Sequence, residues 1–582
     1  MGKIELTIDR QTVQAQTGTT ILEAAARAGI RIPTLCYLEG IHEAGACRIC
    51  VVDIEGRREF AAACNTPVED GMVVRTNTPA LRAARRATLE LILSDHPLEC
   101  LTCIRNGNCE LQALASQLNV RSVGLSGATR AGVPLDESTP GIVRDPRKCI
   151  FCLRCVSVCR DIQAVGAISL AGRGFDASVG PPPDLQLDET RCVQCGQCAL
   201  ICPTAAITEK DETDKVWEAL FDPQKYVVVQ TAPATRVTIG DMFGLPPGTP
   251  VTGKMVTALR RLGFNAVFDT DFTADLTIME EGSELLERLT EGGTLPLVTS
   301  CSPGWIKYVE HFYPELLPHL STCKSPQQMF GAIAKTYFAE KTGRDPADIF
   351  VVSVMPCTAK KFEAARPEMD AAKRFWNNPR IGHDVDVVLT SRELGRMIRR
   401  EGIDFAILPE DGYDEPFGIS TGAGAIFGAT GGVMEAALRT AYELVTGKTL
   451  AQVDFQDVRG LEGVKEAVVP LNGINLKVMV AHGLHNARHV MERLKAGELK
   501  DCHFIEIMCC PGGCIGGGGQ PIPTDTAARR NRIEGLYRVD AAMKYRKSHE
   551  NPAVKALYEE FLGKPLGHRS HELLHTRYAP RP

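Results

Sequence analysis

Aromatic side chains are scarce, 6% of 582 residues with only three tryptophans, and no stretch approaches the ~18 continuous apolar residues of a membrane helix. A membrane span is therefore not expected. Charge of one sign is lacking as well: 71 acidic against 65 basic residues leave a formal net charge of −6. No basic field is present to hold nucleic-acid phosphates or an anionic bilayer. The first residues carry no basic segment leading into an apolar run, and Leu6 stands where a myristoylation motif wants Ser or Thr. With 44% apolar and 23% charged residues the composition is neither disordered, collagenous nor coiled-coil, and the length predicts roughly four folded units. A soluble, cytoplasmic, multidomain protein is expected.

What the chain has is cysteine. There are 22, and 15 of them precede residue 203 in short regular groups. A chain this long does not need disulfide staples, so a reducing compartment and metal ligation are the better reading. Thiolates are soft donors that select zinc, copper(I) or iron–sulfur clusters. Cys149, Cys152, Cys155 and Cys159 repeat the intervals of Cys192, Cys195, Cys198 and Cys202, each a C-x2-C-x2-C-x3-C run, with Pro203 after the second. Two [4Fe–4S] clusters are implied, the fourth cysteine of each run ligating the other cluster. One set is then Cys149, Cys152, Cys155 and Cys202; the other is Cys192, Cys195, Cys198 and Cys159. Paired zinc ribbons are the alternative, but their knuckles do not need the third cysteine.

Upstream, Lys3 to Arg10 alternates like a strand and Thr20 to Ala28 is helical, which fits a small β-grasp-like fold. Cys36, Cys47, Cys50 and Cys64 follow in the pattern C-x10-C-x2-C-x13-C, read as a [2Fe–2S] site whose first gap is wider than in plant-type ferredoxins. His96, Cys100, Cys103 and Cys109 then place four ligands in a short span. Zinc and a cubane suit that spacing equally, and the neighbouring clusters favour iron–sulfur; an imidazole ligand should raise the potential.

From about residue 215 cysteine thins out, and apolar runs at Tyr226 to Gln230, Leu295 to Thr299, Val351 to Met355 and Val385 to Leu389 alternate with helical segments. An α/β domain is expected, with its cysteines at strand ends. The first group is Thr299-Ser300-Cys301-Ser302-Pro303-Gly304-Trp305, and the second is Met355-Pro356-Cys357-Thr358-Ala359-Lys360-Lys361-Phe362-Glu363. The third, Met508-Cys509-Cys510-Pro511-Gly512-Gly513-Cys514, runs into Gly516 to Gly519. Three loops at one sheet edge would converge on one buried metal centre.

At these motifs the chain resembles the iron-only [FeFe] hydrogenases over its whole length. The resemblance implies a multidomain α+β and α/β protein. Its parts are a [2Fe–2S] ferredoxin-like domain (1–78), a cluster segment with one histidine and three cysteine ligands (79–120), a two-[4Fe–4S] bacterial ferredoxin domain (140–210), a large catalytic domain (215–524) and a wrapping tail like the family's small subunit (525–582). It implies an H-cluster, a cubane joined to a diiron unit carrying CO, cyanide and an amine-containing dithiolate, and reversible oxidation of H2. Cys357, Cys510 and Cys514 would ligate the cubane, Cys514 bridging to the diiron unit. Lys360 would pair with one cyanide and the backbone near Ala232, Pro233 and Ala234 would meet the other. Met355, Met508, Gln327 and Phe427 would form walls, although the Met and Phe positions read equally well as plain core. Glu281, Glu284 and Ser321 resemble a proton path to Cys301, while Glu280, Glu281 and Glu284 by spacing alone also fit a solvated helix face.

One departure stands out. Where the family often has two adjacent cysteines, a proton donor and then a ligand, this chain has Cys301 and Ser302. Transfer by position puts Ser302 at the ligand site, thiolate chemistry argues for a cysteine, and the role of Cys301 stays divided between ligand and relay; Cys509 is an extra thiol able to substitute. His571-Glu572-Leu573-Leu574-His575 satisfies the zinc-protease pattern H-E-x-x-H but recurs in the hydrogenase tail. No nucleotide or flavin motif is present, so flavin- and NAD(P)-binding partner subunits carrying a [2Fe–2S] centre, or a ferredoxin, are expected to take the electrons. Two other classes fit parts of the chain: a hydrogen-sensing relative, and an electron-transfer subunit like that of respiratory complex I.

Overall fold

The computed structural model describes residues 2–125, 132–450, 453–471 and 474–582. The alternating segment Lys3–Ile8 forms an antiparallel hairpin with Gln11–Gln16 and runs parallel to Val73–Arg75. That strand pairs antiparallel with Val51–Ile54, and Ala61–Ala62 completes the sheet. Helix Ile21–Arg27 begins at a reciprocal capping box between Thr20 and Glu23. It packs Ile21 and Leu22 onto Leu6, Ile8, Val52 and Val74, in the same core that holds Cys50 and Cys64. This is the β-grasp arrangement expected.

Helix Pro79–Ser94 starts on a Thr78 cap with proline in its first turn, where no N–H is missed. Its buried Arg85 reaches back to the carbonyls of Ile49 at 3.1 Å and Val51 at 2.6 Å, so the helix is bolted to the loop that carries Cys50. In the next region the sequence repeat becomes a backbone repeat. Phe151 and Leu153 have φ of 54° and 61°, and Gln194 and Gly196, at the same places between their cysteines, have 56° and 69°. Left-handed residues two apart turn successive amides toward one concavity, a geometry that favours anionic clusters. Each loop feeds a short helix, Arg154–Ser157 or Gln197–Ile201.

The large domain holds two four-stranded sheets. In one, Ala266–Asp269, Tyr226–Thr231, Ile349–Met355 and Val387–Thr390 are all parallel. In the other, Leu297–Val298, Phe504–Met508 and Ile474–His482 are parallel and Val464–Leu471 pairs antiparallel at the edge. The expectation of one sheet edge is thereby corrected. The Cys357 loop leaves the first sheet after Met355, while the Cys301 and Cys509 loops leave the second after Val298 and Met508. Carboxyl ends of two sheets face one space. The run Leu295 to Thr299 yields only two strand residues, because its neighbours turn into the site.

The long helix Thr270–Thr290 crosses between these parts with Glu280 0%, Glu281 2% and Glu284 5% exposed, so the solvated-face reading of these glutamates is wrong. The tail folds back over it. Leu574 accepts from the Lys324 amide and Thr576 donates to the Thr322 carbonyl, each at 2.8 Å. The H-E-x-x-H reading also falls. His575 lies past the end of helix His568–Leu574 with its ring nitrogens on Thr322 Oγ1 at 2.8 Å and Glu280 Oε2 at 3.2 Å.

Candidate metal centre

Four groups of thiols converge before the large domain. Cys36, Cys47, Cys50 and Cys64 sit at the sheet edge, where the Cys47 amide donates to Cys36 Sγ at 3.4 Å. A hydrogen bond from Cys47 pulls the Cys36 thiol down to about 6, and one from Cys64 pulls Cys50 to about 7. Gly45, at φ +65°, leaves the loop close to Asn65: a Cβ there would lie 2.8 Å from its Nδ2. His96 is held down to about 4 by burial, hence neutral, and its Nδ1 is buried without a hydrogen-bond partner. An unpartnered neutral imidazole nitrogen is what a metal ligand looks like without its metal.

In the ferredoxin region Cys149, Cys152, Cys155 and Cys202 line one cavity, and Cys159, Cys192, Cys195 and Cys198 line another. Cys109 Sγ lies 3.5 Å from the Pro203 carbonyl, and Cys47, Cys109 and Ile150 pack in one apolar cluster. The two outer sites thus both adjoin the Cys149 loop. On the opposite side, the glycine run of the last motif lets backbones touch: a Cβ on Gly518 would lie 2.2 Å from the Cys195 carbonyl, and one on Gly517 would lie 2.1 Å from that of Pro356. Thr358 Oγ1 donates to the Gln194 carbonyl at 2.7 Å and Gln197 Nε2 to that of Gly516 at 2.8 Å.

Between the two sheets lies a cavity at which the loops from both converge. Cys301, Ser302, Cys357, Cys509, Cys510 and Cys514 line it. Ala232, Pro233, Gln327, Met355, Phe427 and Met508 supply its walls, so the Met and Phe positions are both core and cavity surface. Ala234 does not reach it; fully buried, it packs behind the wall against Gly428. Burial, then the neighbouring Cys510, pushes the Cys514 thiol up to about 12, and Cys357 is raised by the same two causes. Such thiols are neutral until a cation takes them as thiolates. Several soft donors in a mostly apolar pocket fit an iron–sulfur group carrying a small organometallic unit.

Lys360 is the cation of the pocket. Its Nζ donates to Glu363 Oε2 at 2.8 Å and to the Cys301 carbonyl at 3.2 Å. Glu363 also accepts from Ser325 Oγ at 2.9 Å and Gln327 Nε2 at 3.1 Å, which orients Gln327 while leaving its Oε1 buried and unpartnered. In the sequence Glu363 was read only as part of its motif, although its place three residues after Lys360 on one helix is a readable pairing signal. Away from the cavity, burial and the charge of Glu284 raise Glu281 to about 8. Neither of its oxygens reaches a hydrogen-bond partner among the described residues. Ser321 Oγ donates to Glu284 Oε2 at 2.9 Å, and Arg288 Nη2 binds Glu284 Oε1 at 2.6 Å. Burial and the Glu281 charge raise the Cys301 thiol well above its usual range. Arg288 was not foreseen.

Residues 225–518 match the family described as iron only hydrogenase large subunit, C-terminal domain, and residues 526–581 match iron hydrogenase small subunit. Ahead of them, residues 2–79 match a 2Fe-2S iron–sulfur cluster binding domain, 85–123 the NADH-ubiquinone oxidoreductase-G iron–sulfur binding region, and 148–206 a 4Fe-4S dicluster domain. The NADP-reducing hydrogenase subunit HndD of Solidesulfovibrio fructosivorans is 53% identical over 100% of both chains. Iron hydrogenase 1 of Clostridium pasteurianum is 41% identical over 96% of this chain and 97% of its own. Among solved structures, a variant of [FeFe]-hydrogenase HydA1 from Chlamydomonas reinhardtii is 45% identical, covering 64% of this chain and 99% of its own with a TM-score of 0.57. Cluster-binding domains in front of a thiol-lined cavity in a hydrogenase catalytic domain leave one assignment: the chain belongs to the iron-only, or [FeFe], hydrogenases.

Proposed function

We propose that the chain is the catalytic subunit of an NAD(P)-linked, multi-subunit hydrogenase. It oxidises H2 reversibly to two protons and two electrons and passes the electrons through one [2Fe–2S] and three [4Fe–4S] accessory clusters to flavin-bearing partner subunits or a ferredoxin. The observation that carries this is the cavity in which five thiols and the Lys360 ammonium meet, one loop away from an accessory-cluster site. The six-iron group that fits there supplies, when bound, an electrophilic iron to polarise H–H and an amine to take the proton. The chain does the rest. Lys360, held by Glu363, fixes the anionic end of that group; Met355, Met508 and Phe427 exclude water; Cys301 and Glu281 hold a proton each at neutral pH. Ser321, Glu284 and Arg288 continue the line toward the surface, where Arg288 has 13% side-chain exposure.

Electrons take the other direction. The Cys195 loop abuts the catalytic motifs, and beyond the paired cubanes the way forks at Ile150 toward the His96 site and the Cys36 site. A fork suits a subunit that serves more than one acceptor, as in a complex that links hydrogen to pyridine nucleotide; the NADP-reducing name of the S. fructosivorans relative supports that link. No helix among the described residues is long and apolar enough to cross a membrane. The test is hydrogen-dependent viologen reduction by anaerobically matured protein, with an iron count of about 20 expected from these clusters. Rapid reduction supports the reading. Full iron with negligible turnover overturns it in favour of a hydrogen sensor, for which Ser302 in place of a thiolate is the one favouring feature.

A further inference from the structure

Five thiols face the catalytic cavity, one more than a cubane takes, and the position next to Cys301 offers only a hydroxyl. We propose that Cys509, and not residue 302, supplies the fourth thiolate to the catalytic cubane, with Cys357, Cys510 and Cys514. This rests on the hydrogenase reading and decides a question that reading leaves open.

The five thiols divide by surroundings. Cys301 packs with Ala274, Phe427 and Met508, its carbonyl tied to Lys360 and its thiol on the side of Glu281. Cys509 and Cys510 pack together with Trp305, Val193 and Cys195 in a separate cluster, and Gln163, which lines the Cys195 cavity, donates from Nε2 to Cys509 Sγ at 4.0 Å. Cys509 thus lies between two cluster sites, and counting decides which has room. The Cys195 cavity already has four cysteines of its own. The catalytic set Cys357, Cys510 and Cys514 is one short.

Ser302 is directly joined to its substitute: the Cys509 amide donates to Ser302 Oγ at 3.2 Å. The hydroxyl is thereby engaged in holding the two loops together, and the sulfur that position 302 lacks is delivered from the loop across that hydrogen bond. Space for it exists because residue 304 is glycine; a Cβ there would lie 2.7 Å from Cys509 Sγ. Iron prefers the thiolate over a serine oxygen. On binding, Cys509 loses its thiol proton and forms an S–Fe bond, with no change in oxidation state. One consequence is electronic: a ligand of the catalytic cubane would pack in one cluster with Cys195, a ligand of its neighbour.

The experiment uses the full-length chain produced without the diiron unit and reconstituted anaerobically with iron and sulfide. Such protein turns over no hydrogen, so the iron count answers the ligand question whether or not the hydrogenase reading stands. Wild type should bind about 18 irons, and Cys509→Ala about 14, with the accessory-cluster signals unchanged. Ser302→Ala and Cys301→Ala should keep about 18, and Ser302→Cys added to Cys509→Ala should restore it. A Cys509→Ala protein that loses all iron is read through Cys509→Ser, in which the paramagnetic spectrum of the reduced catalytic cubane shifts if residue 509 is a ligand. The proposal is overturned if Cys509→Ala keeps about 18 irons, if Cys509→Ser leaves that spectrum unmoved, or if Ser302→Ala is the variant that drops to about 14.

Discussion

Replacing Glu281 by glutamine tests the proton line at its most perturbed member. An ordinary glutamate near 4.5 is about 0.3% protonated at pH 7, whereas one raised to about 8 is about 90% protonated. The difference corresponds to about 5 kcal/mol between the two charge states, and it follows from full burial plus the charge of Glu284 one helical turn away. In infrared difference spectra of the wild type, a protonated carboxyl band should titrate with a midpoint near 8 and be missing from Glu281→Gln. Glutamine keeps the shape but carries no transferable proton, so hydrogen evolution and uptake should both fall by roughly 10²–10⁴ while iron content and the infrared bands of the diiron unit stay unchanged. The sign on stability is also fixed. A folded pKa above the unfolded value gives a contribution that is full below about 4.5 and is lost as pH rises to about 8. Glu281→Gln should therefore gain thermal stability over wild type as pH rises through that window. Unchanged turnover, or a carboxyl band that titrates in the ordinary range, would refute the reasoning.

Cys357→Ser and Cys514→Ser should each abolish the active-site spectra and dye reduction while the accessory-cluster signals persist. His96→Cys should leave the iron count unchanged and move one accessory midpoint to lower potential, since a thiolate adds negative charge where the imidazole was neutral; redox-titrated paramagnetic spectra read this directly. Glu310 is buried, yet bidentate Arg366 and the Arg581 bond at 2.6 Å hold it below its usual range. Its stabilisation is present above about 4.5 and lost as pH falls through the lower folded value, so acid unfolding should start at higher pH in Glu310→Gln, and that variant should be destabilised by roughly 2 kcal/mol at pH 7 because Arg366 keeps only Glu368 as a carboxylate partner.

The cluster ligands were legible because metal chemistry imposes fixed local intervals. The crossed sets around the two ferredoxin cavities follow from the intervals read with the two-cluster ferredoxin pattern. The loop motifs were legible for a similar reason, each being a short run after a strand. Their placement was not. Strand runs in sequence do not say which sheet they join, and here the Met355 and Met508 loops come from different sheets and line one cavity. Glu280, Glu281 and Glu284 misled because a polar stripe on a helix is read as wet unless a distant segment is known to cover it, and the covering segment, with Tyr558 and His575, lies almost 300 residues downstream. Ser302 and Cys509 were individually visible, but only their hydrogen bond joins them.

The antiparallel bridge between Cys323 and His575 has a consequence for biosynthesis. Thr322 and Lys324, beside the Ser321–Glu284 contact, receive their backbone partners from Leu574 and Thr576, which leave the ribosome some 250 residues later. Until that stretch is made, the helix bearing all three glutamates has one flank open to water. The covering of that flank is thus the last step in building the site, and a chain stalled short of residue 576 would leave the glutamate-bearing helix wet on that side.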